Sequence, residues 1–180
     1  MVYFDNAATT YPKPDSVYAF MDKFYRECGV NVGRGQHDMA NKASKLYSET
    51  KQLVKELLNC YDKEVVFTTS ATESLNIILQ GIRWDDNYTV YVSPFEHNSV
   101  MRVIYHLQNI YKIHIKQLAV NKETLTYDLE KIKYDFQDAK PNVVVMSHAS
   151  NVCGLIVPIK EICDLAKEHD AITVVDMAQT

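Results

Sequence analysis

The sequence is poor in the residues that build several common sites. Its 180 residues hold five glycines, and none forms GxGxxG after a strand or GxxxxGKS/T, which excludes the dinucleotide and nucleotide-triphosphate loops. The four cysteines, Cys28, Cys60, Cys153 and Cys163, form no CxxC and no regular framework. No disulfide scaffold is therefore expected, and they read as packing residues in a reducing setting. The six histidines show no HExxH or other tight metal spacing, so no metal site is expected. A GxSxG elbow is also missing. No apolar run is long enough to span a bilayer and the first residues do not read as a signal peptide, which points to a cytoplasmic protein without a membrane partner. Positive charge is scarce too: 19 Lys and Arg stand against 23 Asp and Glu, for a formal net charge of -4. The basic residues are scattered rather than striped, so no nucleic-acid partner is expected.

What is present suits a folded domain. Hydrophobic residues make up 47% of the chain, enough for a sizeable core. Five short apolar runs, at residues 64–69, 88–92, 113–118, 142–147 and 171–175, are rich in Val, Ile, Tyr and Phe and lack alternation. That is the pattern of strands covered on both faces. Helical spacing falls between them: Ala43, Leu46, Tyr47, Leu53, Val54, Leu57 and Leu58; Val100, Val103, Ile104, Leu107 and Tyr111; and Ile159, Ile162, Cys163 and Ala166 after Pro158. The alternation predicts an α/β fold with a mostly parallel sheet and right-handed crossovers. Residues 1–37 differ, with prolines, a short helix starting near Val17 and three of the glycines between 29 and 35. They read as an arm and loop, and residues 38–180 as the α/β body.

In an open parallel sheet ligands bind beyond the carboxyl ends of the strands, and the polar residues collect there. The first run leads into Thr69-Ser70-Ala71-Thr72-Glu73-Ser74 and then an apolar helix. Such a start suits phosphate binding, and it equally suits plain N-capping. The second leads into Glu96-His97-Asn98, where a histidine can stack on a planar ring, shuttle a proton or simply bond locally. The fourth ends in Ser147-His148-Ala149-Ser150-Asn151-Val152-Cys153-Gly154, residues also usual in turns. The fifth closes on Asp176-Met177-Ala178-Gln179. A carboxylate ending an apolar strand needs a partner: Mg²⁺, a ribose hydroxyl, the protonated ring nitrogen of pyridoxal phosphate, or a following turn.

Ordered blocks along the chain resemble the class V aminotransferases and cysteine desulfurases. They are Tyr3-Phe4-Asp5-Asn6-Ala7-Ala8-Thr9-Thr10, Asn31-Val32-Gly33-Arg34-Gly35-Gln36-His37, Phe67 to Asn76, Glu96-His97-Asn98-Ser99, Ser147 to Gly154, and Val175 to Gln179. The resemblance implies the fold of the large domain of fold-type I pyridoxal-phosphate transferases, a three-layer α/β/α sandwich present here in its first part, with pyridoxal 5'-phosphate as cofactor. It implies that Ala71 and Thr72 bind the cofactor phosphate and that His97 stacks on the ring and assists proton transfer. Asn151 would lie by the ring oxygen and substrate carboxylate, Asp176 would pair with the ring nitrogen, and Gln179 would bond the phenolic oxygen. Ala8 and Arg34 would belong to the substrate-pocket wall. The implied reaction takes sulfur from an amino-acid substrate, L-cysteine, leaving L-alanine, with a sulfur-acceptor protein and a homodimeric parent. Transamination, selenocysteine or β-elimination chemistry, and a non-catalytic associating protein, are the alternatives. In this family the Schiff-base lysine, the substrate arginine and the nucleophilic cysteine follow the Asp-x-x-Gln block. The expectation is therefore a fragment without those groups, inactive by itself.

Overall fold

A computed structural model describes residues 2–180. The chain divides into two compact units, residues 1–67 and 68–180.

The first unit carries helices α1, Asp15–Cys28, and α2, Asp38–Leu57, which pack against each other. Helix α1 buries none of its residues, and Val17, Phe20 and Met21 are exposed. Helix α2, which the sequence pattern groups with the α/β body, lies in this unit; it starts at His37, whose Nδ1 accepts from the Ala40 N–H at 3.3 Å. Just before it, a side chain at Gly35 would come within 2.8 Å of the His37 ring, so the cap geometry requires a residue without Cβ.

The second unit is a four-stranded parallel sheet with helices on both faces. It runs α3, Ala71–Gly81; β1, Thr89–Val92; α4, Asn98–Tyr111; β2, His114–Gln117; α5, Leu129–Asp138; β3, Val143–Ser147; α6, Ile159–Lys167; and β4, Ile172–Asp176. The strand order is β2-β1-β3-β4, every pair parallel. All five residues of β3 are buried, as a central strand covered on both faces must be. Side chains alternate between two cores. Val90, Val92, Val143, Val145 and Val174 pack with α3 and α4 on one face. Tyr91, Val144 and Met146 pack with Ile132 and Phe136 of α5 and Ile162 and Ala166 of α6 on the other. The three-layer α/β/α architecture expected from the sequence is thus the one observed.

Two elements depart from the sequence expectation. Residues 64–69 are not a strand: among the described residues nothing pairs with them, and Val66 and Phe67 are 77% and 45% exposed. An apolar run becomes a strand only where a ladder partner takes its N–H and C=O groups. Phe67 instead sets its ring edge against Tyr47 in the first unit, centroids 5.3 Å apart. Helix α5 has no counterpart among the helical patterns read from the sequence. Its signals are the Asp128 cap, whose carboxylate accepts from the Lys131 N–H at 2.9 Å, and the buried Ile132 and Phe136 one turn apart.

The strand order places a topological switch point between β1 and β3. From β1 the chain crosses to β2 on one side; from β2 it passes back over β1 to β3 and on to β4. A crevice at the carboxyl ends of β1 and β3 follows from that reversal.

Candidate cofactor site at the strand ends

The buried polar residues of the protein gather at this end of the sheet. Ser93, Ser99, Ser147 and Ser150 are each below 9% exposure, and all four lie at or just beyond the carboxyl ends of β1 and β3. None of their side chains is left unsatisfied among the described residues.

The start of α3 is capped by its own side chains. The Ser70 hydroxyl caps the helix by accepting from the Glu73 N–H at 3.2 Å. Glu73 turns back, and its Oε2 accepts from the Thr69 N–H at 2.8 Å and hydroxyl at 2.6 Å. These bonds hold the Glu73 carboxyl below its ordinary value. This variant of the capping box uses the N–H of Glu73 and leaves those of Ala71 and Thr72 with no hydrogen bond among the described residues. Ser70 is thus a plain cap, and the next two N–H groups are left with no hydrogen bond among the described residues.

Between the starts of α3 and α4 lies a cleft of about 410 Å³ lined by Thr72, Asn76, His97, Asn98 and Arg102 among others. It brings Thr72 and His97 together. His97 is exposed and is itself the N-cap of α4, its Nδ1 accepting from the Ser99 N–H at 3.1 Å and lying 2.8 Å from the Ser99 hydroxyl. The local bond sets the ring's orientation and leaves Nε2 without a hydrogen-bond partner among the described residues.

Asn151, Asp176 and Gln179 do not line that cleft; they sit along the same edge, after β3 and β4. Asn151 is exposed in a turn organised by Ser150, whose N–H donates to Leu155 O at 3.0 Å and whose hydroxyl accepts from the Val152 N–H at 3.2 Å. Cys153, in the same turn, is exposed, and the Ser150 hydroxyl draws its thiol below the usual range. Asp176 ends β4 opposite Ser147. Its Oδ1 accepts from the Ala178 N–H at 2.9 Å, so it caps the following turn and still has a second oxygen for a ligand. Gln179 is exposed. Ala8 and Arg34 belong to the first unit and are exposed there, Ala8 in a turn in which its N–H donates to Asp5 O at 3.1 Å.

Glu96 is a site residue that sequence reasoning passed over. Its carboxylate accepts from the Ser147 N–H at 2.6 Å and from the Ser147 hydroxyl at 3.2 Å. The reason lies in the ladder. Ser93 N–H donates to Val145 O at 3.0 Å, the last bond of the β1–β3 pair. Ser147, two residues further on, faces the same neighbour, and β1 has already ended. Glu96 thus supplies the acceptor that the strand no longer provides. Burial, and then the charge of Asp176, push its carboxyl up to about 7. Beside it the Tyr127 hydroxyl lies 2.7 Å from the Ser93 hydroxyl, and burial raises it to about 12.

The parallel α/β/α sheet thus carries along one edge an open amide pair at a helix start, an imidazole cap and a carboxylate closing a strand. The chain matches the family described as Aminotransferase class-V over residues 2–180, and it belongs to that family, whose members use pyridoxal 5'-phosphate. It is similar to a probable cysteine desulfurase of Pyrococcus abyssi, 31% identical over 183 residues, covering 100% of this chain and 44% of the relative. Among solved structures it resembles the apo cysteine desulfurase of Thermococcus onnurineus NA1, 29% identical with a TM-score of 0.91, over 99% of this chain and 44% of that one. The cysteine desulfurase CsdA of Escherichia coli, in its S-sulfonic acid form, is 26% identical with a TM-score of 0.78, over 98% and 45%. The chain therefore spans less than half the length of these relatives.

The donor set fits the cofactor. Free amide N–H groups suit a phosphate, an exposed imidazole suits an aromatic ring, and a half-used carboxylate suits a protonated ring nitrogen.

Proposed function

We propose that the chain is the cofactor-side part of a cysteine desulfurase, one that takes sulfur from L-cysteine for a protein acceptor and leaves L-alanine. The observation that carries this reading is the open pair of amides at Ala71 and Thr72, with Thr72 lining a cleft shared with His97, in a chain covered end to end by relatives named as cysteine desulfurases.

When bound, pyridoxal phosphate supplies an electron sink for a carbanion at the substrate α-carbon. The N–H groups of Ala71 and Thr72 hold its phosphate, helped by the positive end of α3. Asp176 accepts from the ring nitrogen and keeps it protonated. His97 would stack on the ring and could take or return a proton through Nε2. Asn151 and Gln179 would donate to the ring oxygen and orient it. For Ala8 and Arg34 a role toward the substrate rests on the resemblance alone, as does a homodimeric parent.

By itself the chain binds the cofactor without a covalent bond. Lys160 and Lys167, on α6, both pair with Asp164, at 2.7 and 3.6 Å, and neither is on a strand end. Titrating the chain with pyridoxal phosphate and following near-ultraviolet absorbance tests this reading. The expected result is saturable, phosphate-competed binding, no alanine formed from cysteine, and no stoichiometric adduct in the intact mass after borohydride. Failure to bind, or one lysine trapped in full yield, would overturn it.

A further inference from the structure

The loop from β1 to α4 carries His97, and the ends of β3 and β4 carry Ser147 and Asp176. One side chain joins the two sides of the crevice. Glu96 leaves the β1 side and bonds both the N–H and the hydroxyl of Ser147 on the β3 side. Ser147 and Asp176 are register partners in a parallel pair, so their side chains leave the same face of the sheet. The Glu96 carboxyl is therefore fixed next to the Asp176 carboxylate, and its own next residue is His97.

Resting on the pyridoxal-phosphate reading above, we propose that Glu96 is a positioning residue. It clasps the β1–α4 loop to the end of β3 and so sets His97 and Asp176 at the separation a planar ring requires.

A strand cap alone needs only an acceptor for the Ser147 N–H, and a glutamine offers that as well as a glutamate. Two observations exceed a cap. The second oxygen also meets the Ser147 hydroxyl, which fixes the carboxyl plane. The group is also held beside a like charge at the very edge where the cofactor's cationic ring nitrogen would stand. The titratable groups facing Glu96 are Asp176 from β4 and Tyr127 from the segment between β2 and α5. Burial and the Asp176 charge favour the protonated carboxyl, in which the Oε2–H donates to the Ser147 hydroxyl instead of accepting from it. The clasp persists in both states. A cation paired with Asp176 offsets the repulsion and draws Glu96 toward its ionised form.

The test compares the wild-type chain with Glu96→Ala, Glu96→Gln and Glu96→Asp. His97 ring resonances, assigned through His97→Gln, are recorded without ligand; binding of pyridoxine 5'-phosphate, which has no aldehyde, is then measured from about pH 5 to pH 8. In Glu96→Ala the His97 resonances should move and affinity should fall about tenfold, while Glu96→Gln should return both to near wild type. Glu96→Gln should also flatten the pH profile of affinity. Should Glu96→Ala not fold, Glu96→Asp, one methylene short of Ser147, gives the same readings. Unchanged His97 resonances in a folded Glu96→Ala or Glu96→Asp chain would overturn the proposal. Loss of wild-type binding with His97 still displaced would overturn the cofactor reading and leave the clasp standing.

Discussion

At the scale of single residues, the charge on Glu96 sets a pH dependence of stability. Its folded pKa is raised from the ordinary 4.5 to about 7. A raised value means the contribution is fully present below about pH 4.5 and is lost as pH rises through about 7. Of this, on the order of 2–3 kcal/mol is lost between about pH 5 and pH 8. Glu96→Gln cannot ionise, so the wild-type unfolding midpoint should fall relative to that variant by roughly 5–8 °C between about pH 5 and pH 8. Differential scanning fluorimetry across that range reads the difference, and parallel curves would refute the assignment. The residue was not legible in advance. Glu96 sits in the sequence as one acid beside a histidine, whereas its partner lies 51 positions away and depends on β1 ending sooner than β3. Asp176 stands out in the sequence as a lone carboxylate closing Thr173-Val174-Val175 that needs a partner, and the partner the structure gives it is the Ala178 N–H of the following turn.

Secondary-structure elements show the same division between local and distant causes. Helix α3 was readable because Ser70 and Glu73 carry their own capping chemistry. Ser70→Ala should cost about 1 kcal/mol, lowering the midpoint by about 2–4 °C in thermal melts, with no change expected if the cap bond is idle. For α5 the cap is equally local, yet its last turn depends on the sheet: the Tyr91 hydroxyl donates to Asp135 O at 2.7 Å and Ala139 O at 3.0 Å. In Tyr91→Phe Ala139 O loses its donor and Asp135 O keeps only the Ala139 N–H, at a cost of about 1–2 kcal/mol. Amide exchange in residues 135–139 should quicken while that of β3 holds. Equal acceleration in both would show a global effect instead. The apolar run at 64–69 teaches the converse lesson. Val65, Val66 and Phe67 have the composition of a strand, but composition does not provide the neighbouring ladder, and none is present among the described residues.

For the whole molecule, the sheet's two outer strands matter most. Strands β2 and β4 are its edges among the described residues, and Ile172 on β4 is 47% exposed, with Val152 and Ile156 also exposed in the same unit. Open edges beside apolar surface favour association. Sedimentation velocity should show the weight-average mass rising between about 1 and 100 µM, and Ile172→Lys should reduce that rise. A concentration-independent monomer would contradict the expectation. A mostly parallel sheet covered on both faces was legible in the alternation of apolar runs and helical periods, whereas the order β2-β1-β3-β4 was not. The organisation into two compact units at Phe67 and Thr68 did not, because the periodicity of α2 tells which side it buries and not what it packs against.

The early end of β1 has a kinetic side as well. Glu96 reaches Ser147 when the chain folds, long before any ligand arrives, so the crevice has its width from the start. The expectation is that a molecule entering there meets a mouth already set by that bond and orders little on arrival. Capture should then follow one exponential whose rate climbs linearly with ligand concentration, paced by encounter and not by a rearrangement of the host.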